Sequence, residues 1–327
     1  GGPENGGMTV PKDRPLVLVA MGGHAFIARG ERGTHEEHAR NADRIASLLM
    51  SLVEREYDLV ITHGNGPQVG NLLVQNETCS DDVPEAPLDV LVAMTEGSLG
   101  YYLQQSLLNQ LRRRKVKRYV VAVITQVLVD PGDNAFSRPT KPNGPFMTEE
   151  EARRRRGELG WVIQEDKVRG WRRVVPSPDP QRIVQRWMIR DAAREGHIVI
   201  ACGGGGIRIV KDAAGFFVGV EGVLDKDVTA SLLAIEIGAE FLIILSDISN
   251  VYTHYGTHRE HALHAVTLEE IETYIGEGHF PAGSMGPKVE AIRRFLRAGG
   301  KRALITSPAS LPNAMEGRAG THFVGKL

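Results

Sequence analysis

The sequence is short of cysteine, of aromatics and of net charge, and each shortage narrows what the protein can be. It carries 2 cysteines in 327 residues, Cys79 and Cys202, far apart along the chain. They outline no disulfide framework, which suits a reducing cytoplasm, the location expected here. Aromatic residues make up 6% of the chain and the formal net charge is -1. Nothing in that balance asks for nucleic acid or a membrane surface as partner. The basic runs Arg112–Arg118 and Arg153–Arg156 lack the interleaved aromatics that single-strand binding favours, and read as solvated helix faces. No apolar stretch is long enough to span a bilayer, and none ahead of Leu16 has the make-up of a signal peptide. Residues 1–7, rich in glycine, read as an appended or disordered stretch and are left out of the fold reasoning. The P-loop signature, the serine nucleophile elbow and the paired-histidine helix of zinc proteases are also missing.

What is present is ordinary globular composition, 42% hydrophobic and 24% charged. Six short apolar runs stand out: Leu16–Met21, Leu59–Thr62, Tyr119–Thr125, Ile198–Cys202, Phe241–Ser246 and Ala303–Thr306. They are continuous rather than alternating, the pattern of strands covered on both faces. Amphipathic helical stretches lie between them. Thr34 to Glu37 has a capping-box pattern, Pro67 and Pro287 suit helix starts, and Gly238 and Gly299 suit helix stops. The alternation predicts an α/β protein, a three-layer α/β/α sandwich with a mainly parallel sheet. Residues from about 130 to 180 break the rhythm with proline, glycine, charge and the tryptophans Trp161 and Trp171. They read as an inserted subdomain that leaves the sandwich and returns over it, as a lid would.

Ligands of open α/β sheets collect beyond the carboxyl ends of the strands. Three runs end in glycine turns there: Gly22-Gly23-His24, Gly64-Asn65-Gly66 and Gly203–Gly206. Such turns let backbone N–H groups approach an anion closely. Two lysines, Lys226 after Asp225 and Lys288 after Pro287, fall in the first turns of expected helices. A cation there opposes the helix dipole at a cost of roughly 0.3–1 kcal/mol, which a bound phosphate would reverse. Broken local rules of this kind mark functional sites. These residues point to phosphoryl transfer, and leave open the acceptor and a non-catalytic nucleotide-binding role.

Several segments together resemble the carbamate kinases, within the amino acid kinase family. They are Gly22-Gly23, Thr62 to Gly70, Pro139 to Pro142, Gly170 to Pro178, Gly203 to Gly206, Gly219 to Glu221, Asp225-Lys226-Asp227 and Ala282 to Lys288. The resemblance covers nearly the whole chain after its first residues. It implies reversible phosphoryl transfer between ATP and carbamate, giving ADP and carbamoyl phosphate, in arginine metabolism. It implies a homodimer, with small-molecule substrates and neither nucleic acid nor membrane as partner. Residues 8–205 would form an amino-terminal lobe for carbamate, carrying the inserted subdomain, and residues 206–327 a carboxyl-terminal lobe for the nucleotide. Lys226 would bridge the phosphates, Lys288 would meet the transferring phosphoryl group, and Asp225 would orient both lysines. Gly22, Gly23, His24, Gly64, Asn65, Gly66, Gly204 and Gly205 would cradle the carbamoyl and phosphoryl groups. Asp247, Tyr255, Ser284 and Met285 would form the nucleotide pocket. Mg2+ would be held mainly by the nucleotide phosphates, with Asp227 as a candidate ligand. His24 stands where the family has asparagine. A positive group reaching the substrate from the insertion is also implied; Pro131 cannot supply it, and Lys141 could.

Overall fold

A computed structural model of the chain describes residues 14–22, 25–28, 30–80, 82–281 and 283–325. Residues 1–7, Gly23 and His24, named above, lie outside the described residues. An eight-stranded sheet runs in the spatial order Ala265–Thr267, Thr321–Val324, Arg302–Thr306, Phe241–Leu245, Leu16–Met21, Asp58–His63, Ile198–Ile200, Val120–Ala122. The last six are mutually parallel, and they are the six apolar runs of the sequence. Thr321–Val324 pairs antiparallel to Arg302–Thr306 and closes that side with Ala265–Thr267.

Both faces of the sheet are covered, which is why its strands read as unbroken hydrophobic runs. Successive residues of a strand point to opposite faces. Leu16, Leu18 and Ala20 therefore join one core with Val60, Val199, Leu242 and Ile244. Val17, Val19 and Met21 join the other with Leu59, Ile61, Ile200 and Ile243. The second core is roofed by helices His35–Glu54 and Leu88–Arg113. The first is roofed by Arg186–Arg194, Lys226–Glu236 and Met285–Arg297. The capping box at Thr34 and Glu37 is formed, and it satisfies donors that the helix start leaves unpaired.

The segment from about 130 to 180 holds more regular structure than its composition suggests, and strands on either side of it join in. A second sheet runs Phe217–Gly219, Ile207–Lys211, Gln126–Val129, Pro180–Ile183, and a three-stranded one runs Lys141–Met147, Gly170–Val175, Ile163–Asp166. Gly144 and Pro145 coincide with a register shift between Asn143 and Phe146, which hid this strand from a pattern-based reading. Trp161 and Trp171 pack with Met147, Ala152 and Ile163 beneath helix Glu149–Leu159. Arg155 and Arg173 stack on Trp161.

Candidate active site

Because the six strands are parallel, their carboxyl ends share one edge, and the turns after Asp58–His63, Ile198–Ile200 and Phe241–Leu245 line a cavity of about 1170 Å³. Its charged centre is built by two helices that pack side by side. Helix Lys226–Glu236 begins at the N-cap Asp225, whose Oδ1 accepts from the Asp227 and Val228 amides. Lys226 is thus the first helical residue. Lys288 lies one turn into helix Met285–Arg297. Between them stands Asp227, whose Oδ1 accepts from Lys226 Nζ at 2.7 Å and whose Oδ2 accepts from Lys288 Nζ at 2.8 Å.

Asp227 is buried and the two lysine side chains are partly so, which strengthens the attraction between them. Burial opposes ionisation of Asp227, yet the two ammonium groups outweigh it and hold its carboxyl below the usual carboxylate range. Burial also lowers the pKa of Lys226, with Asp227 opposing the change and Lys288 adding to it. One carboxylate thus holds two cations close together, an arrangement poised for an anion with several oxygens.

Asp227 orients the two lysines, whereas Asp225 caps its helix and takes Lys141 Nζ at 3.3 Å on its other oxygen. Helix phase is the reason: an N-cap side chain folds back onto the first amides, while the second helical residue projects sideways toward the neighbouring helix. Both Asp227 oxygens accept from ammonium groups. Among the described residues, no group of three His, Cys, Asp or Glu side chains could hold a metal ion. Lys141 reaches this centre from the three-stranded sheet.

The opposite wall is made of backbone. Asn65 stands at the N-cap of helix Gly66–Thr78 by position, but its side chain accepts from no helix amide; its NH2 donates to Thr95 Oγ1 at 2.8 Å. Gly64, Asn65, Gly66 and Gly204 all line the cavity. The turn Gly203–Gly205 follows Cys202, which is buried at φ +52°. Gly204 has φ +65°, and a Cβ there would run into the Asn65 amide. A Cβ on Gly203 would stand 2.7 Å from the His63 ring. Burial pushes the pKa of His63 down to about 4, so its imidazole is neutral, with Nδ1–H donating to the Gly64 carbonyl. Beneath the turn, Glu96 accepts from Thr125 N at 3.0 Å, and Thr125 Oγ1 accepts from Cys202 N at 2.9 Å. Gly22 lies beside the Lys226 stem, and Gly205 faces Leu224 rather than the cavity.

Asp247, Tyr255, Ser284 and Met285 all line the cavity, with Tyr252, whose ring centroid is 5.8 Å from that of Tyr255. Sequence reasoning missed Tyr252, the Thr95 and Glu96 supports, and Arg172. Tyr252 carries a faint signal, being an aromatic three residues before Tyr255. Arg172 lies within the segment Gly170 to Pro178 that carries the resemblance, though nothing there singled it out, and Thr95 and Glu96, from a segment distant in sequence, had no signal.

The model of the amino acid kinase family matches residues 15–307. The chain is 47% identical over 307 residues to carbamate kinase of Pyrococcus horikoshii, covering 93% of this chain and 98% of that one. It is 42% identical over 308 residues to carbamate kinase 2 of Enterococcus faecalis, covering 94% and 97%. The solved structure of carbamate kinase from Giardia lamblia bound to AMP-PNP superposes with a TM-score of 0.91, at 38% identity, covering 97% of this chain and 100% of that one.

Proposed function

The chain belongs to the amino acid kinase family, and we propose that within it this protein is a carbamate kinase, transferring a phosphoryl group reversibly between ATP and carbamate to give ADP and carbamoyl phosphate. The observation that carries the reading is the Lys226–Asp227–Lys288 centre facing Asn65 and Gly204 across one cavity. A carbamate oxygen is already anionic and needs no side-chain base. Its attack on the terminal phosphorus forms one P–O bond as the bond to ADP breaks. What the reaction needs is alignment and neutral surroundings for the charge in flight. Lys226 and Lys288 would neutralise that charge, with Asp227 holding them apart and in place. Gly22, Gly64, Asn65, Gly66 and Gly204 would cradle the acceptor and the transferring group, and Lys141 would close over them.

In this reading residues 8–205 serve the acceptor and residues 206–327 the nucleotide, whose base would lie among Asp247, Tyr252, Tyr255, Ser284 and Met285. Mg2+ would ride on the nucleotide phosphates, as that ion commonly does. A homodimer is part of the proposal. It is supported by the exposed Val90, Met94 and Tyr101 on helix Leu88–Arg113, beside the edge strand Val120–Ala122. A cytoplasmic location accords with two unpaired cysteines, one of them exposed.

The test is ATP formation from carbamoyl phosphate and ADP with Mg2+, in a coupled assay. Turnover that disappears in Lys226→Ala is expected. Folded protein with no turnover above background would overturn the reading.

A further inference from the structure

The three-stranded sheet brings more than Lys141 to the cavity. Alternation along strand Gly170–Val175 sends Arg173 to one face, where it stacks on Trp161 and pairs with Glu221. Arg172 goes to the other face and lines the main cavity together with Lys141, Asn65 and Gly66. Its Nε donates to the Gly144 carbonyl at 2.7 Å, and its guanidinium lies 5.1 Å from the Phe146 ring centroid. That leaves both terminal nitrogens of the fork without a protein acceptor among the described residues. Of the neighbouring arginines of the same subdomain, Arg153, Arg154, Arg155, Arg169 and Arg173 each meet a carboxylate, while Arg156 donates to the Ile163 carbonyl and lies over Trp171. Arg172 has no carboxylate within ion-pair distance among the described residues. Burial lowers its pKa, and the Arg169 charge adds to that.

A half-buried guanidinium held at one end and unpaired at the other is costly unless an anion meets it. The position says which anion. Gly144, which anchors Arg172, faces Leu73 of helix Gly66–Thr78, and the amino terminus of that helix forms the acceptor wall. The residues placed around the nucleotide base come from other elements, the segment after strand Phe241–Leu245 and the start of helix Met285–Arg297. The charge balance agrees. Lys141, Lys226 and Lys288 share the cavity lining with Asp225, Asp227 and Asp247, so without Arg172 these groups leave no net positive charge to meet a polyphosphate and an acceptor anion together.

We propose that Arg172 is a further substrate-binding residue, whose planar fork grips the acceptor-side anion: carbamate in one direction, carbamoyl phosphate in the other. A guanidinium presents parallel N–H donors that match a planar carboxylate or a phosphate, which a lysine cannot reproduce. The inference rests on the kinase reading above and adds to it a residue that discriminates the acceptor from the nucleotide.

The experiment compares wild type, Arg172→Met and Arg172→Lys in ATP formation from carbamoyl phosphate and ADP, with circular dichroism confirming the fold. For Arg172→Met, KM for carbamoyl phosphate should rise about 10- to 100-fold, the scale of one charged hydrogen-bonding group. KM for ADP should stay within about twofold, a change too small to represent a lost contact. Arg172→Lys should recover only part of the loss, and millimolar guanidinium should partly rescue Arg172→Met. Equal rises in both KM values, or no rise in either, overturn the proposal. If wild type itself shows no turnover, the kinase reading fails and Arg172 is judged by thermal shift with carbamoyl phosphate alone. Stabilisation of wild type that is lost in Arg172→Met supports the anion contact, and equal or absent stabilisation in both overturns it.

Discussion

The two walls of the cavity prepare for negative charge by different means. On the Lys226 side the means are side chains: two ammonium groups and one carboxylate, mutually paired and buried. On the Asn65 side the means are backbone: a left-handed glycine turn pressed against an asparagine that a threonine holds still. A charged centre is sensitive to the loss of one atom type but has room around it. A backbone cradle carries no charge and has no room, since a single methyl group at Gly204 would collide with Asn65. One wall should therefore fail electrostatically and the other sterically, and substitutions can separate the two.

The largest expected effect is on the charged wall. Lys226→Ala or Lys288→Ala should lower kcat by roughly 10³-fold, comparable to removing a preorganised donor from a developing charge. Their melting temperatures should fall much less than their activities. A variant keeping a tenth of wild-type kcat would break the comparison. Asp227→Asn comes next, because it leaves two adjacent buried ammonium groups without their shared counter-charge. Removing one partner of a buried pair costs about 3–5 kcal/mol, so denaturant titration should show a loss of that order, and turnover should fall with it. An unchanged unfolding midpoint would mean that the lysines are positioned by their helices alone.

On the backbone wall, Gly204→Ala should cost about 1–3 kcal/mol in stability, from its φ of +65° and the Asn65 collision. Its KM for carbamoyl phosphate should rise about tenfold while KM for ADP holds. A matching rise for ADP would show that the walls are not separable. The last effect bears on stability alone and is spread over a pH range. His63 has its folded pKa depressed to about 4, so it contributes stability above its unfolded value that is lost as pH falls toward 4. The loss is at most about 3 kcal/mol. His63→Leu should flatten thermal stability between those limits, and an unaltered slope would remove His63 as its source.

The sequence made the six parallel strands legible because burial on both faces leaves an unbroken apolar run, a signal local to each strand. Lys226 and Lys288 were legible as cations in helix starts, a conflict visible within four residues. The strands Gln126–Val129 and Ile207–Lys211 were missed because they are short and partly exposed, and they pair with each other across some eighty residues of chain. Asp225 and Asp227 flank Lys226 symmetrically in sequence, so their exchange of roles could not be read there.

By itself, then, the sequence determined which segments would be buried, where turns would end them, and which lysines would sit at helix starts, since each depends on neighbours a few residues away. Tertiary structure alone decided that Asp227 rather than Asp225 joins the two lysines, that Thr95 steadies Asn65, and that Lys141 and Arg172 reach the cavity from the inserted sheet. Those contacts depend on helix phase, strand alternation and the packing of segments that meet only when the chain is folded.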